Sequence, residues 1–215
     1  MVETQPSEPD GVTVCNVGAT GERRLQGAGA GSGSTATLPA GVAMKIAKGQ
    51  QLLMNLHLFN PTDEVLRGRS GMRIQTLAPN EVTHEAEVVL AGPLNLVIPR
   101  GRVVQRGTCT LSSPSTLFSV APHMHQTGVH AKVVAHSSIS GDRLLYDGDY
   151  DFNHQLVHAI DPVELAAGDK VEIECTYLNA TDRTLSWGDS SLDEMCFAGL
   201  GMYPATGTRS GPCTN

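Results

Sequence analysis

Apolar and polar residues alternate with a period of two through much of this chain. Leu52, Met54, Leu56 and Leu58 alternate with Leu53, Asn55, His57 and Phe59. Val129, Ala131, Val133 and Ala135 alternate with His130, Lys132, Val134 and His136. Val171, Ile173, Cys175 and Tyr177 alternate with Glu172, Glu174 and Thr176. Strand side chains point to opposite faces in turn, so these runs predict half-buried antiparallel strands. Asp147-Gly148, between Leu144-Leu145-Tyr146 and Tyr150-Asp151-Phe152, predicts a hairpin turn. No amphipathic helix stands out. Short strands and frequent turns predict an all-β protein built as a β-sandwich.

The pattern also repeats. Shifted by 119 residues, Ala47, Gly49, Asn60, Thr62, Asp63 and Leu66 fall on Ala166, Gly168, Asn179, Thr181, Asp182 and Leu185. The apolar positions between them superpose as well. Two similar strand–turn units would give this by chance; two related sandwich domains in tandem would give it by descent. The second reading divides the chain into residues 1–79, the C-terminal part of a first domain, and 80–215, a second domain. The first domain is then incomplete, about forty residues short at its start. The Gly/Ser run 27–34 becomes a loop within it, and Cys15 has lost a partner upstream.

Composition narrows the chemistry. A net charge of −7 without a basic run excludes nucleic acid as an expected partner. No stretch approaches the ~20 apolar residues of a membrane span. The N-terminus is polar and acidic, unlike a signal or transit peptide. Cysteines stand at 15, 109, 175, 196 and 213, without a Cys-x-x-Cys pair. They are either free thiols or, in an oxidising compartment, two disulfides plus an odd residue. Gly-x-Ser-x-Gly, His-Glu-x-x-His and P-loop motifs are absent from the sequence.

Metal chemistry remains. In a strand, His123-Met124-His125 puts both imidazoles on one face with Ser119 and Ala121. Phe118, Val120 and Met124 take the other, core-like face, so the histidines are expected to look toward solvent or a cleft. Two imidazoles joined by a thioether from Met195 would favour copper, because soft sulfur prefers Cu(I). The plainer reading is two exposed strand histidines and a core methionine. His57 reads as a buried histidine; His84, His130, His136, His154 and His158 lack ligand spacing and read as surface or supporting residues.

Seven landmarks follow one another in order. They are Leu38-Pro39-Ala40-Gly41-Val42, residues 49–60 with His57, and Ser70-Gly71-Met72-Arg73-Ile74. Then come Ile98-Pro99-Arg100-Gly101, the His123-Met124-His125 segment ending in Thr127-Gly128, Tyr150-Asp151-Phe152-Asn153, and Asp193-Glu194-Met195-Cys196. From about Cys15 to Cys213 the chain resembles the copper type II, ascorbate-dependent monooxygenases, which include peptidylglycine α-hydroxylating monooxygenase, dopamine β-monooxygenase and bacterial relatives. The resemblance implies two jelly-roll-like antiparallel β-sandwich domains, each with one copper. It implies His123, His125 and Met195 as the catalytic copper ligands. His57 matches one ligand of a second, electron-storing copper in the first domain. The other two would be an upstream His-His pair, which this sequence does not contain. Cys109–Cys213 and Cys175–Cys196 are the implied disulfides, with an extracellular or periplasmic location. The implied reaction hydroxylates a C–H bond of a small organic substrate with dioxygen and a reductant such as ascorbate. A non-catalytic copper carrier or sensor, or an inactive fragment of the enzyme, is the alternative. In the peptide-processing branch an arginine occupies the position of Ala121 and a tyrosine that of Gly199, so a glycine-extended peptide is not the expected substrate.

Overall fold

The computed structural model describes residues 2–3, 11, 35–54, 56, 60, 62–207 and 213. Cys15, the 27–34 run and His57 lie outside the described residues. The protein is all-β: among the described residues the one helical element is a 3-10 turn at Pro79–Glu81. No helix is long and apolar enough to cross a membrane.

The strands are β1 (Val2–Glu3), β2 (Val42–Met44), β3 (Gln51–Leu52), β4 (His84–Ala91), β5 (Val97–Ile98), β6 (Gly101–Thr110) and β7 (Ser115–His123). They continue with β8 (Gly128–Ser137), β9 (Gly141–Asp149), β10 (His158–Leu165), β11 (Lys170–Asn179), β12 (Leu185–Ser186) and β13 (Phe197–Tyr203). Two sheets carry the fold, a five-stranded one ordered β10-β7-β13-β4-β2 and a four-stranded one ordered β6-β11-β8-β9. Their facing sides share one core. Val89, Leu117, Val120, Leu200 and Met202 come from the first sheet, and Ala131, Val133, Val171, Ile173 and Tyr177 from the second. Burying such a side chain contributes roughly 1.5–3 kcal/mol, which makes this interface the main stabilising feature.

The alternation in β8 and β11 matches its prediction. Ala131, Val133, Ala135, Val171, Ile173, Cys175 and Tyr177 are all fully buried. The disulfides Cys109–Cys213 and Cys175–Cys196 close in the pairing the resemblance implies. The second ties β11 to the segment entering β13.

Two local expectations fail. Asp147-Gly148 is not a turn; both residues lie within β9, where Asp147 pairs with Lys132 and Gly148 with Ala131. The hairpin closes instead after Ser137, whose Oγ accepts the N–H groups of Ile139 and Ser140 at 3.1 Å each. A ladder along β8, with one irregularity beside Val133, outweighs the local turn preference of Asp-Gly. The strand expected over 52–59 is the second failure. Of its described residues only Leu52 is in a strand, and Leu52, Met54 and Leu56 are exposed.

The 119-residue repeat is visible in the turns. Gly49 and Gly168 both take positive φ, +87° and +90°, where a side chain would be strained. Gln50 and Asp169 donate N–H to Ala47 and Ala166, each at 3.2 Å. Their own side chains accept from the N–H of Ala47 (2.6 Å) and Ala166 (2.8 Å). At the far end, Asn60 Oδ1 accepts from Thr62 N–H (3.0 Å) and Oγ1 (2.8 Å), as Asn179 Oδ1 does from Thr181 at 2.9 and 2.6 Å. β2 comes from the stretch assigned by sequence to a first domain, yet it adds in parallel to the edge of β4, with Val42 packed against Ala86 and Phe118.

Candidate metal centre

The chain leaves the five-stranded sheet at the end of β7 and enters the four-stranded sheet at the start of β8. Residues 124–127 span the seam between the two layers, and the histidine pair straddles its entrance. His123 is the last residue of β7, paired with Phe197 of β13. His125 is beyond the strand, in the turn closed by Gly128 N–H donating to its carbonyl at 3.2 Å. His125 is 4% exposed and stands outside the strand, which corrects the expectation that both imidazoles extend from one strand face. The backbone donors of His125 and Thr127 go to the Glu194 carboxylate rather than to a neighbouring strand. Met124, between the histidines, is fully buried in the core as expected. Gly128 accommodates it, since a Cβ there would come within 2.7 Å of Met124 Cβ.

The two rings meet edge to face with centroids 5.3 Å apart. Each is oriented through Nδ1. Gln155 donates its amide Nε2 to the Phe152 carbonyl at 3.0 Å, which turns its Oε1 toward His123 Nδ1 at 2.6 Å. An amide oxygen only accepts, so His123 carries its proton on Nδ1. His125 Nδ1 faces the carbonyl of Asp193 at 3.1 Å and is protonated for the same reason. In the neutral rings this leaves Nε2 as the nitrogen with a lone pair. Metal-binding histidines are commonly held this way, one nitrogen fixed by a hydrogen bond and the other given to the ion.

Backbone clamps surround the pair. Tyr150 donates its hydroxyl to the Met124 carbonyl at 2.5 Å and accepts Met124 N–H at 3.0 Å. Tyr177 donates to the Met195 carbonyl at 2.7 Å. Burial, offset in part for Tyr150 by its bond to Met124, pushes both phenols well above the ordinary tyrosine value; the Glu194 carboxylate adds to the rise. Both thus remain donors at neutral pH. Glu194 is fully buried. Its Oε2 accepts His125 N–H at 2.9 Å, and its Oε1 accepts Thr127 N–H and Oγ1, each at 2.7 Å. Phe152 stands edge-on to His125 at 6.0 Å.

His123 and His125 thus come together, and Asp193 and Glu194 are bonded to the same turn, while Met195, next in sequence, is held through its carbonyl by Tyr177. His57 lies outside the described residues. The remaining histidines have other partners. His130, His136 and His154 meet Asp147, Asp142 and Asp151 at 3.0, 2.9 and 2.7 Å. His84 lies tilted against Tyr203 and His158 tilted against Tyr146, with ring centroids 4.5 and 4.8 Å apart. Sequence reasoning missed the roles of Gln155, Glu194, Tyr150 and Tyr177. Tyr150 and Glu194 were inside family landmarks, but nothing in the local sequence signals that Gln155 reaches back 32 positions to His123.

Among the described residues no three His, Cys, Asp or Glu side chains gather at one point. A metal at the two imidazoles would take a third donor of another kind, and a thioether suits copper. A family model for the C-terminal domain of the copper type II ascorbate-dependent monooxygenases matches residues 84–214, from the first residue of β4 to just beyond Cys213. With more than half of its length matched, the chain belongs to the copper type II ascorbate-dependent monooxygenase family.

Proposed function

We propose that His123, His125 and Met195 hold one copper ion, and that the protein uses dioxygen and a reductant such as ascorbate to hydroxylate a C–H bond of a small organic substrate. The carrying observation is the pair of Nδ1 hydrogen bonds that turns two adjacent imidazoles into Nε2 donors. Met195 is the third donor. Its backbone is held by Tyr177, and its neighbour Cys196 is bridged to β11. Copper bound here supplies the redox chemistry with dioxygen, which amino-acid side chains cannot provide.

This chain's own residues supply geometry. Gln155 and the Asp193 carbonyl keep the two rings in one tautomer, and Tyr150 fixes the spacing between them through Met124. Next to His123 on β7, Ala121 faces Gly199 of β13. A Cβ built on Gly199 would meet Ala121 Cβ at 3.5 Å and Val88 Cγ1 at 3.7 Å, ordinary contacts, and neither Ala121 nor Gly199 carries a charge of its own. That favours a compact substrate without a carboxylate to be paired. Residues 80–215 then form the catalytic domain, and residues 1–79, with His57, the end of an electron-storing domain. The two disulfides fit a periplasmic or extracellular location.

Elemental analysis tests the assignment. About one tightly bound copper per chain is expected, because one full ligand set is present. His123→Ala should abolish binding, whereas His57→Ala should leave it nearly intact. Met195→Ile should weaken Cu(I) more than Cu(II). Equal losses from His123→Ala and His57→Ala, or unchanged Cu(I) affinity in Met195→Ile, would sink the ligand set.

A further inference from the structure

We infer that Glu194 is the anionic positioning residue of this centre: it sets His125 in place and biases the bound copper toward Cu(II). The inference rests on the assignment of His123 and His125 to copper. Its basis is the placement of a fully buried carboxylate against the ligand turn. Glu194 reaches across 69 positions to accept the N–H of His125 itself, and both of its oxygens are spent on residues 125–127.

Burying a carboxylate is costly unless its charge is met. Among the described residues, the lysine and arginine ion pairs run to Glu85, Asp182, Glu174 and Asp147, not to Glu194. Its bonded partners are neutral: two backbone N–H groups and a hydroxyl. A cation at the imidazole it positions would meet that charge. A negative group in a low-dielectric surrounding stabilises the more highly charged Cu(II) over Cu(I). Glu194 therefore opposes the thioether of Met195, which favours Cu(I), and the two together set the potential at which the site gains and loses an electron.

The test compares copper-loaded wild type with Glu194→Gln, Glu194→Asp and Thr127→Val. Each is assayed for both disulfides and for thermal stability, then for Cu(I) and Cu(II) affinity by chelator competition and for midpoint potential. Glu194→Gln should lose Cu(II) affinity roughly 10–100-fold and Cu(I) affinity less, so that its potential rises. Each tenfold difference between the two losses corresponds to about 59 mV for a one-electron couple. Thr127→Val keeps the charge and removes one bond, so its potential should stay at the wild-type value. Glu194→Asp should likewise keep the potential while weakening both oxidation states; if Glu194→Gln does not fold, Glu194→Ser, neutral and small enough to admit water, takes its place with the same expected rise in potential. Equal losses of Cu(I) and Cu(II) in Glu194→Gln, a shift in Glu194→Asp as large as that in Glu194→Gln, or a raised potential in Thr127→Val would overturn the inference. His123→Ala is the control for the underlying site. If it retains copper the ligand assignment itself fails, whereas loss of copper in His123→Ala with an unchanged Glu194→Gln removes only the role of Glu194.

Discussion

Residues 47–66 and 166–185 share six of twenty amino acids and the same two turns, yet differ completely between those turns. In the second segment Val171, Ile173 and Cys175 are fully buried in β11, which is paired along its length with β6 and β8. Their counterparts Leu52, Met54 and Leu56 are 47%, 48% and 49% exposed, and β3 pairs with β1 over two residues. The turns form in both places because their hydrogen bonds close within five residues. A glycine at positive φ and an Asn-x-Thr side-chain cap need only their own neighbours. A strand needs ladders on its flanks and a sheet above it, and these come from elsewhere in the chain. Turn chemistry is thus a property of the segment, while strand burial is a property of its surroundings.

The widest expected divergence is in the core. Ile173→Ala should destabilise the protein by about 2–5 kcal/mol through a cavity, and Met54→Ala by no more than about 0.5 kcal/mol, both read from urea midpoints. Similar costs at the two positions would show that the first segment is packed against something in solution. The Asn turns should separate less. Asn179 also donates to the Ile98 carbonyl and is buried, so Asn179→Ala should cost about 1–3 kcal/mol. Asn60→Ala, at an exposed turn, should stay within about 0.5 kcal/mol. The smallest effect concerns Tyr177, whose counterpart is Leu58. Burial, then the Glu194 charge, then Tyr150 raise its pKa in the folded state above the ordinary tyrosine value of about 10. The unfolded chain therefore releases this proton first. The resulting stability is present below pH 10 and is lost as pH rises beyond it, by about 1.4 kcal/mol per unit at most. Denaturation midpoints at pH 8 and 11 should show this fall, and Tyr177→Phe should reduce it, leaving the share that Tyr150 contributes.

What was legible in the sequence follows the same division. Period-two alternation in β8 and β11 was readable because their inner faces are uniformly apolar. Asp147-Gly148 misled because a good turn dipeptide can also lie in a long ladder when its partner strand demands it. The His-x-His pair pointed to a metal, but its strand geometry was wrong at His125, whose backbone N–H goes to a glutamate distant in sequence. Gln155 and Glu194 could not be identified from spacing, since each acts on a residue brought near only by the closed sandwich.

The seam position of the histidines has a consequence for the order of events in the life of the molecule. The bonds that orient His123 and His125 span 32, 68 and 69 positions, and the clamp on Met124 spans 26. No short stretch of chain emerging during synthesis contains the assembled centre. Contacts of such separation form late in folding, after the loop entropy of the sheets has been overcome. On the ligand set proposed above, metal loading should therefore follow both sheet closure and oxidation of Cys175 and Cys196, so that copper would enter a finished socket rather than guide its construction.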